Sequence, residues 1–249
     1  MLFKIENADV YFVASMHLLR PEDSELPDKF WVAHSGAKRV VFESNLDAKS
    51  EPPNARFIAP DNLRQSIHVE LFDAAVVLAG RLGVPNFIQY RPWYAALLLA
   101  LYIPIRAGFG QSGVDRQIWD KTEPQHRMTL EGSDALSFFD SVPSDIQAGY
   151  LAYVVSNPNR SITQINKLLA AWQNEDLVAL ENFLDFAMNL FPTIMKGLID
   201  ERNRKWLPEI LRLCATSERT VFVLGALHYV GDVSIQKLMK VHGYSLIAV

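Results

Sequence analysis

The stretch TVFVLGALH, Thr220–His228, decides the fold. Five apolar or β-branched residues run into Gly225, and a histidine follows three positions later. A short unbroken apolar run reads as a strand covered on both faces, as in a parallel sheet. A polar residue just beyond its carboxyl end stands where open α/β sheets hold their ligands.

Three other segments end the same way. VYFVASMH, residues 10–17, ends on His17; RVVFE, residues 39–43, on Glu43; RMTLE, residues 127–131, on Glu131. Were these strands parallel in one sheet, two imidazoles and two carboxylates would meet at its edge. Such a set suits borderline divalent ions such as Zn²⁺, Mn²⁺ or Co²⁺. A bound water then becomes acidic enough to attack a carbonyl, and a free carboxylate can take its proton. A metal-free crevice of coupled titrating groups is the alternative.

The rest of the chain predicts the frame around that edge. Glu6-Asn7-Ala8-Asp9 separates two apolar runs and predicts a hairpin of strands near 2–6 and 10–15. Residues 48–62, rich in Pro, Asn, Asp and Ser, predict a loop. Leu71, Ala74, Ala75 and Leu78 recur at helical spacing, with Gly80 and Gly83 closing the segment. WYAALLLALYI, Trp93–Ile103, reads as a buried helix opened by Pro92 and disturbed near its end by Pro104. It is too short for a membrane span, which needs about 20 apolar residues. Gly113-Val114-Asp115 starts a short helix, with Asp115 either its N-cap or a partner that orients a histidine. From there to about residue 216 the pattern is helical, apart from RMTLE. Capping boxes are expected at Ser144–Gln147 and Ser161–Gln164. A strand over 220–224, a helix near 234–241 and a strand over 244–249 close the chain. The expected architecture is one α/β domain over 1–249. It has a mixed central sheet flanked by helices and a large helical insertion at about 133–216.

Composition narrows the function classes. Apolar residues make up 49% of 249 and charged residues 21%, an ordinary globular balance. A net charge of −4 argues against a general nucleic-acid binder. The lone Cys214 allows no intrachain disulfide. The N-terminus lacks a basic start and apolar middle, so the expected location is cytoplasmic. Ser15 and Ser44 lie near the proposed crevice, but there is no G-x-S-x-G elbow to make either a nucleophile. His34, His68, His126 and His242 stand away from strand ends and read as surface or structural residues. DERNRKW, Asp200–Trp206, is a charge run that is either a solvated face or the means by which Arg202 reaches the crevice.

These segments together resemble the TraB/GumN family, which includes the Tiki proteins and is related more distantly to erythromycin esterases and a haem-binding iron-uptake protein. The family carries two GxxH motifs. The second is intact as Gly225-Ala226-Leu227-His228; the first is Ala14-Ser15-Met16-His17, with alanine in place of glycine. Val40-Val41-Phe42-Glu43, Arg91-Pro92-Trp93, Gly113-Val114-Asp115, Leu130-Glu131 and Glu201-Arg202-Asn203 follow its further motifs in order. The resemblance implies a divalent-metal-dependent hydrolase. On the combined reading, His17, Glu43 and His228 hold one Mn, Co or Zn ion, and Glu131 is base or fourth ligand. Arg202 stabilises negative charge, and a peptide or small-molecule ester or amide is cleaved. The rival expectation is a binding protein whose crevice takes haem or another anionic small molecule without turnover.

Overall fold

Asn7 sits at φ 62°, a left-handed conformation that asparagine tolerates, and there strand β1 (Leu2–Ile5) turns back along β2 (Val10–Ser15). In this computed structural model, residues 1–48 and 51–249 are described. Lys49 and Ser50, part of the loop expected at 48–62, lie outside them. The chain continues through α1 (Asp28–His34), β3 (Arg39–Phe42), α2 (Leu63–Ser66), α3 (Val69–Leu82) and α4 (Pro92–Arg106). Next come α5 (Val114–Lys121), β4 (Arg127–Thr129), α6 (Ser144–Ser156), α7 (Pro158–Gln173), α8 (Leu177–Leu190) and α9 (Pro192–Met195). It closes with α10 (Arg202–Cys214), β5 (Thr220–Gly225), α11 (Ile235–Val241) and β6 (Leu246–Ala248).

The strands form one mixed sheet in the order β4-β3-β5-β2-β1-β6. β4, β3, β5 and β2 run parallel, so their carboxyl ends share one edge. β1 pairs antiparallel with both β2 and β6, which joins the two ends of the chain in this sheet. β5 lies between β3 and β2 and is buried along its whole length, as its apolar run requires. Phe12 of β2 stacks on Phe222 of β5 at 4.6 Å, and Phe42 of β3 meets the Trp119 ring edge-on at 4.8 Å. Burial of each such side chain stabilises the fold by roughly 1.5–3 kcal/mol. Trp172 in α7 donates its indole N–H to the Ala14 carbonyl at 2.7 Å, which fixes that helix against β2.

The described residues group into two compact units. Met1–Ala48, Gly110–Gly132 and Leu168–Val249 carry the whole sheet; Lys49–Phe109 and Ser133–Lys167 form the second unit. The helical stretch expected as an insertion at about 133–216 therefore divides between them at Lys167. The second unit packs α3, α4 and α6 around Phe72, Ala95, Ala96, Leu99, Ile103 and Leu151. α4 is its apolar centre, as its sequence requires, and it continues through Pro104 to Arg106 because only the last turn loses a donor. No helix among the described residues is long and apolar enough to cross a membrane.

Local expectations fail where a neighbouring residue changes the helix start. Pro143 precedes α6, which leaves Ser144 already helical and without a capping role. Gln147 turns its buried amide to the carbonyls of Phe139 and Val142 instead. α7 begins three residues before Ser161, at Pro158, whose fixed φ suits a first helical turn. A full capping box forms at Asn62–Gln65, where the expected loop ends. Gly83 caps α3 at φ 76°, whereas Gly80 lies within the helix.

Candidate functional site

The four strand ends do converge, and within the sheet-bearing unit alone. Glu43 follows β3, and its backbone carbonyl accepts the Glu131 amide at 2.9 Å, so the two carboxylates leave adjacent parallel strands side by side. Arg202 lies against both. Its guanidinium donates to Glu131 at 2.8, 2.9 and 3.2 Å and to Glu43 Oε2 at 2.7 Å. The Glu131 side chain is only 1% exposed. Burial is the largest single effect on Glu43 and opposes its ionisation, but Arg202, the two histidines and the Gly225 amide together outweigh it and hold the carboxyl well below the usual carboxylate range.

Gly225 closes the centre. Its amide donates to Glu43 Oε1 at 2.6 Å. A Cβ there would stand 3.2 Å from Glu43 Oε1, 3.5 Å from His228 Cδ2 and 3.6 Å from His17 Nε2. The backbone is ordinary for any residue, at φ −54°, so the glycine serves close approach rather than a special turn. Those three side chains thus surround the space that a side chain at 225 would fill.

The two imidazoles are held differently. His17 Nδ1 donates to Asp115 Oδ2 at 2.7 Å, since an ionised carboxylate can only accept. Asp115 is in the first turn of α5, whose N-cap is Gly113, so its observed role is to orient His17 rather than to cap. With 61% of its side chain exposed, His17 is the open face of the site. The Asp115 charge beside it pushes its pKa up to about 9. His228 is buried, 4% exposed in its side chain, and burial drives its pKa down to about 3, leaving a neutral ring. Its Nε2 faces Glu43 Oε1 at 3.6 Å, and the Trp206 ring lies 4.6 Å from its own.

α10 supplies one wall. A π-helical turn, Lys196–Glu201, leads into it, and such turns recur at functional sites because they re-aim side chains. Within DERNRKW, Glu201, Arg204 and Lys205 are exposed, while Arg202, Asn203 and Trp206 face inward. The Arg202 guanidinium lies over the Trp206 ring at 4.6 Å. The charge run is therefore solvated on one side and site-forming on the other.

Three contributors were named in the sequence without the roles that the structure gives them. Gly113 stands so close to β2 that a Cβ would be driven into the carbonyls of Met16 and His17, and Val114 N donates to Met16 O at 2.8 Å. Ser15 pairs with Gly225 across the parallel ladder, so its side chain leaves the sheet on the same face as the Gly225 gap. Its buried hydroxyl has no partner among the described residues. Asn203 is fully buried against His228. Besides its place in the Glu201-Arg202-Asn203 segment, the sequence signal for Asn203 is its spacing with Trp206, Ile210 and Leu213 on the buried face of one helix.

The chain matches the TraB/PrgY/gumN family model over residues 1–247. It belongs to that family. No curated protein and no solved structure is significantly similar to it. The metal ion implied by the earlier resemblance can be tested against the donors. Among the described residues no three His, Cys, Asp or Glu side chains are gathered tightly enough to hold an ion. The donor chemistry nevertheless fits one. His17 is anchored through Nδ1, as ligating histidines are, and its Nε2 stands beside the Gly225 gap, where a cation would have to displace the proton that the raised pKa keeps on it. Neutral His228 Nε2 and the Glu43 carboxylate face each other, a pair that a cation between them would satisfy.

Proposed function

We propose that this TraB-family chain is a divalent-metal-dependent hydrolase acting on a peptide or ester bond. The observation that supports it is the gathering of His17 Nε2, Glu43 Oε1 and the His228 ring around the Gly225 gap at the sheet's carboxyl edge. His17, Glu43 and His228 would hold the ion. When bound, it would make a water acidic enough to attack a carbonyl carbon and would polarise that carbonyl.

The chain's own residues would do the rest. Asp115 accepts the Nδ1–H of His17 and aims the ring. Glu131, with both oxygens on Arg202, anchors the guanidinium beside Glu43 and would serve as base or fourth ligand only by giving up part of that contact. Arg202 presents a fixed positive charge beside Glu43 that can stabilise an oxyanion as it forms. The Ser15 hydroxyl is free to donate to a substrate oxygen or an attacking water. The open side at His17 gives substrate its entry.

A second reading rests on Arg202 as well. Its guanidinium offsets one of the two carboxylate charges and the exposed His17 supplies a second cation, so the edge could instead retain haem or another anionic small molecule without turnover. Metal analysis of protein purified without a nickel column separates the two. Stoichiometric Mn, Co or Zn, lost in both His17→Ala and His228→Ala, together with metal-dependent cleavage in a peptide and ester panel, is the expected result. No bound ion and no metal-dependent cleavage, with a Soret band after haem addition, would overturn it in favour of the binding reading.

A further inference from the structure

The buried amide of Asn203 has one possible orientation. Its nitrogen lies 2.8 Å from the Val233 carbonyl and 3.3 Å from the His228 carbonyl, and only an NH₂ can satisfy two acceptors. Its oxygen therefore points at His228 Nδ1, 2.7 Å away, and must receive a proton from it. A neutral imidazole carries one proton, so Nε2 has none.

We propose that Asn203 is a positioning residue that locks His228 in the Nδ1–H tautomer and so turns Nε2 toward Glu43 as a bare acceptor. Among the described residues nothing else near the ring does this. Trp206 supplies a ring face, and Glu43 faces Nε2 with an acceptor oxygen that would favour a proton there, the opposite tautomer. The amide must therefore work against Glu43, and it does so from full burial, where its hydrogen bonds are least screened. The same amide ties the turn after His228 through Val233, so ring and backbone are fixed together. The importance of the tautomer for ion binding rests on the hydrolase reading; the tautomer itself does not.

The test is ¹⁵N NMR of the His228 ring in chelator-treated protein, near neutral pH. Wild type is expected to show Nε2 unprotonated and Nδ1 protonated. Asn203→Asp keeps an acceptor but loses both donors, and should retain that tautomer. Asn203→Leu should lose it, with Nε2–H becoming the major form; Asn203→Ala replaces it if the leucine variant does not fold. A purely structural amide would make the aspartate and leucine variants behave alike. An Nε2–H ring in wild type, or an Nδ1–H ring that persists without the amide, would overturn the proposal. Cobalt titration supplies the second arm, with binding expected to weaken about 10–100-fold in the leucine variant. If wild type binds no cobalt, the hydrolase reading fails while the NMR result still decides the tautomer.

Discussion

Replacing Arg202 with methionine removes the guanidinium that bridges the Glu43 and Glu131 carboxylates. Met keeps much of the stem's volume, so the change isolates the charge and its hydrogen bonds. The wild-type guanidinium makes close contacts at 2.7 Å to Glu43 and at 2.8 and 2.9 Å to Glu131. Breaking a buried pair by deleting one partner costs about 3–5 kcal/mol, because the other charge is left in low dielectric. With a urea m-value of about 2–3 kcal/mol/M, that is a drop of roughly 1–2 M in midpoint. The cost is expected to be full at about pH 8 and to shrink toward about pH 5, because Glu43, whose carboxyl is held well below the usual range with Arg202 present, can take a proton in the variant. Adding Glu43→Gln should restore part of the loss, since the two positions share one network. Urea melts followed by circular dichroism and tryptophan fluorescence, with chelator present, read all of this. A loss below about 1 kcal/mol at the higher pH, or the same loss at both, would refute a guanidinium that offsets buried charge.

Other outcomes follow from the same geometry. Gly113→Ala should destabilise the protein and disturb the His17 ring resonances, because its Cβ meets two backbone carbonyls that cannot rotate away; a stable variant with unchanged His17 signals would contradict this. Asp115→Asn should lower the His17 pKa from about 9 toward 6.5 in an NMR titration. In wild type the stability from that pair is complete below about pH 6.5 and lost as pH rises toward 9, so the variant should flatten that limb of the stability profile. His228 acts in the opposite sense. Its pKa is depressed to about 3, so the stability it contributes is present above about pH 6.5 and is lost as pH falls toward 3. A His228→Gln variant should show a shallower acid limb, and an unchanged one would count against a neutral buried ring. Gly225→Ala should fold, since φ −54° suits alanine, yet weaken ion binding by crowding Glu43 Oε1 at 3.2 Å; unchanged cobalt affinity would argue that the gap is not used.

The sequence by itself determined the strands and the residues at their ends. The unbroken apolar run of β5 requires burial on both faces, and the alternation of turn and apolar residues sets the β1–β2 hairpin. His17, Glu43, Glu131 and His228 were legible because a strand's end is a local property. The inward turn of Arg202 was one of two local readings, and only packing chose between them. What tertiary structure alone decided is contact between distant segments: Gly113 under the His17 backbone, Ser15 beside Gly225, and Asn203 against His228. Helix starts near Ser144 and Ser161 shifted for the same reason, as proline and neighbouring carbonyls competed with the local serine. Periodicity reports which face of an element is buried, because that depends on spacing along one chain segment. It does not report what lies across the face, since a close approach or a shared proton belongs to two segments at once.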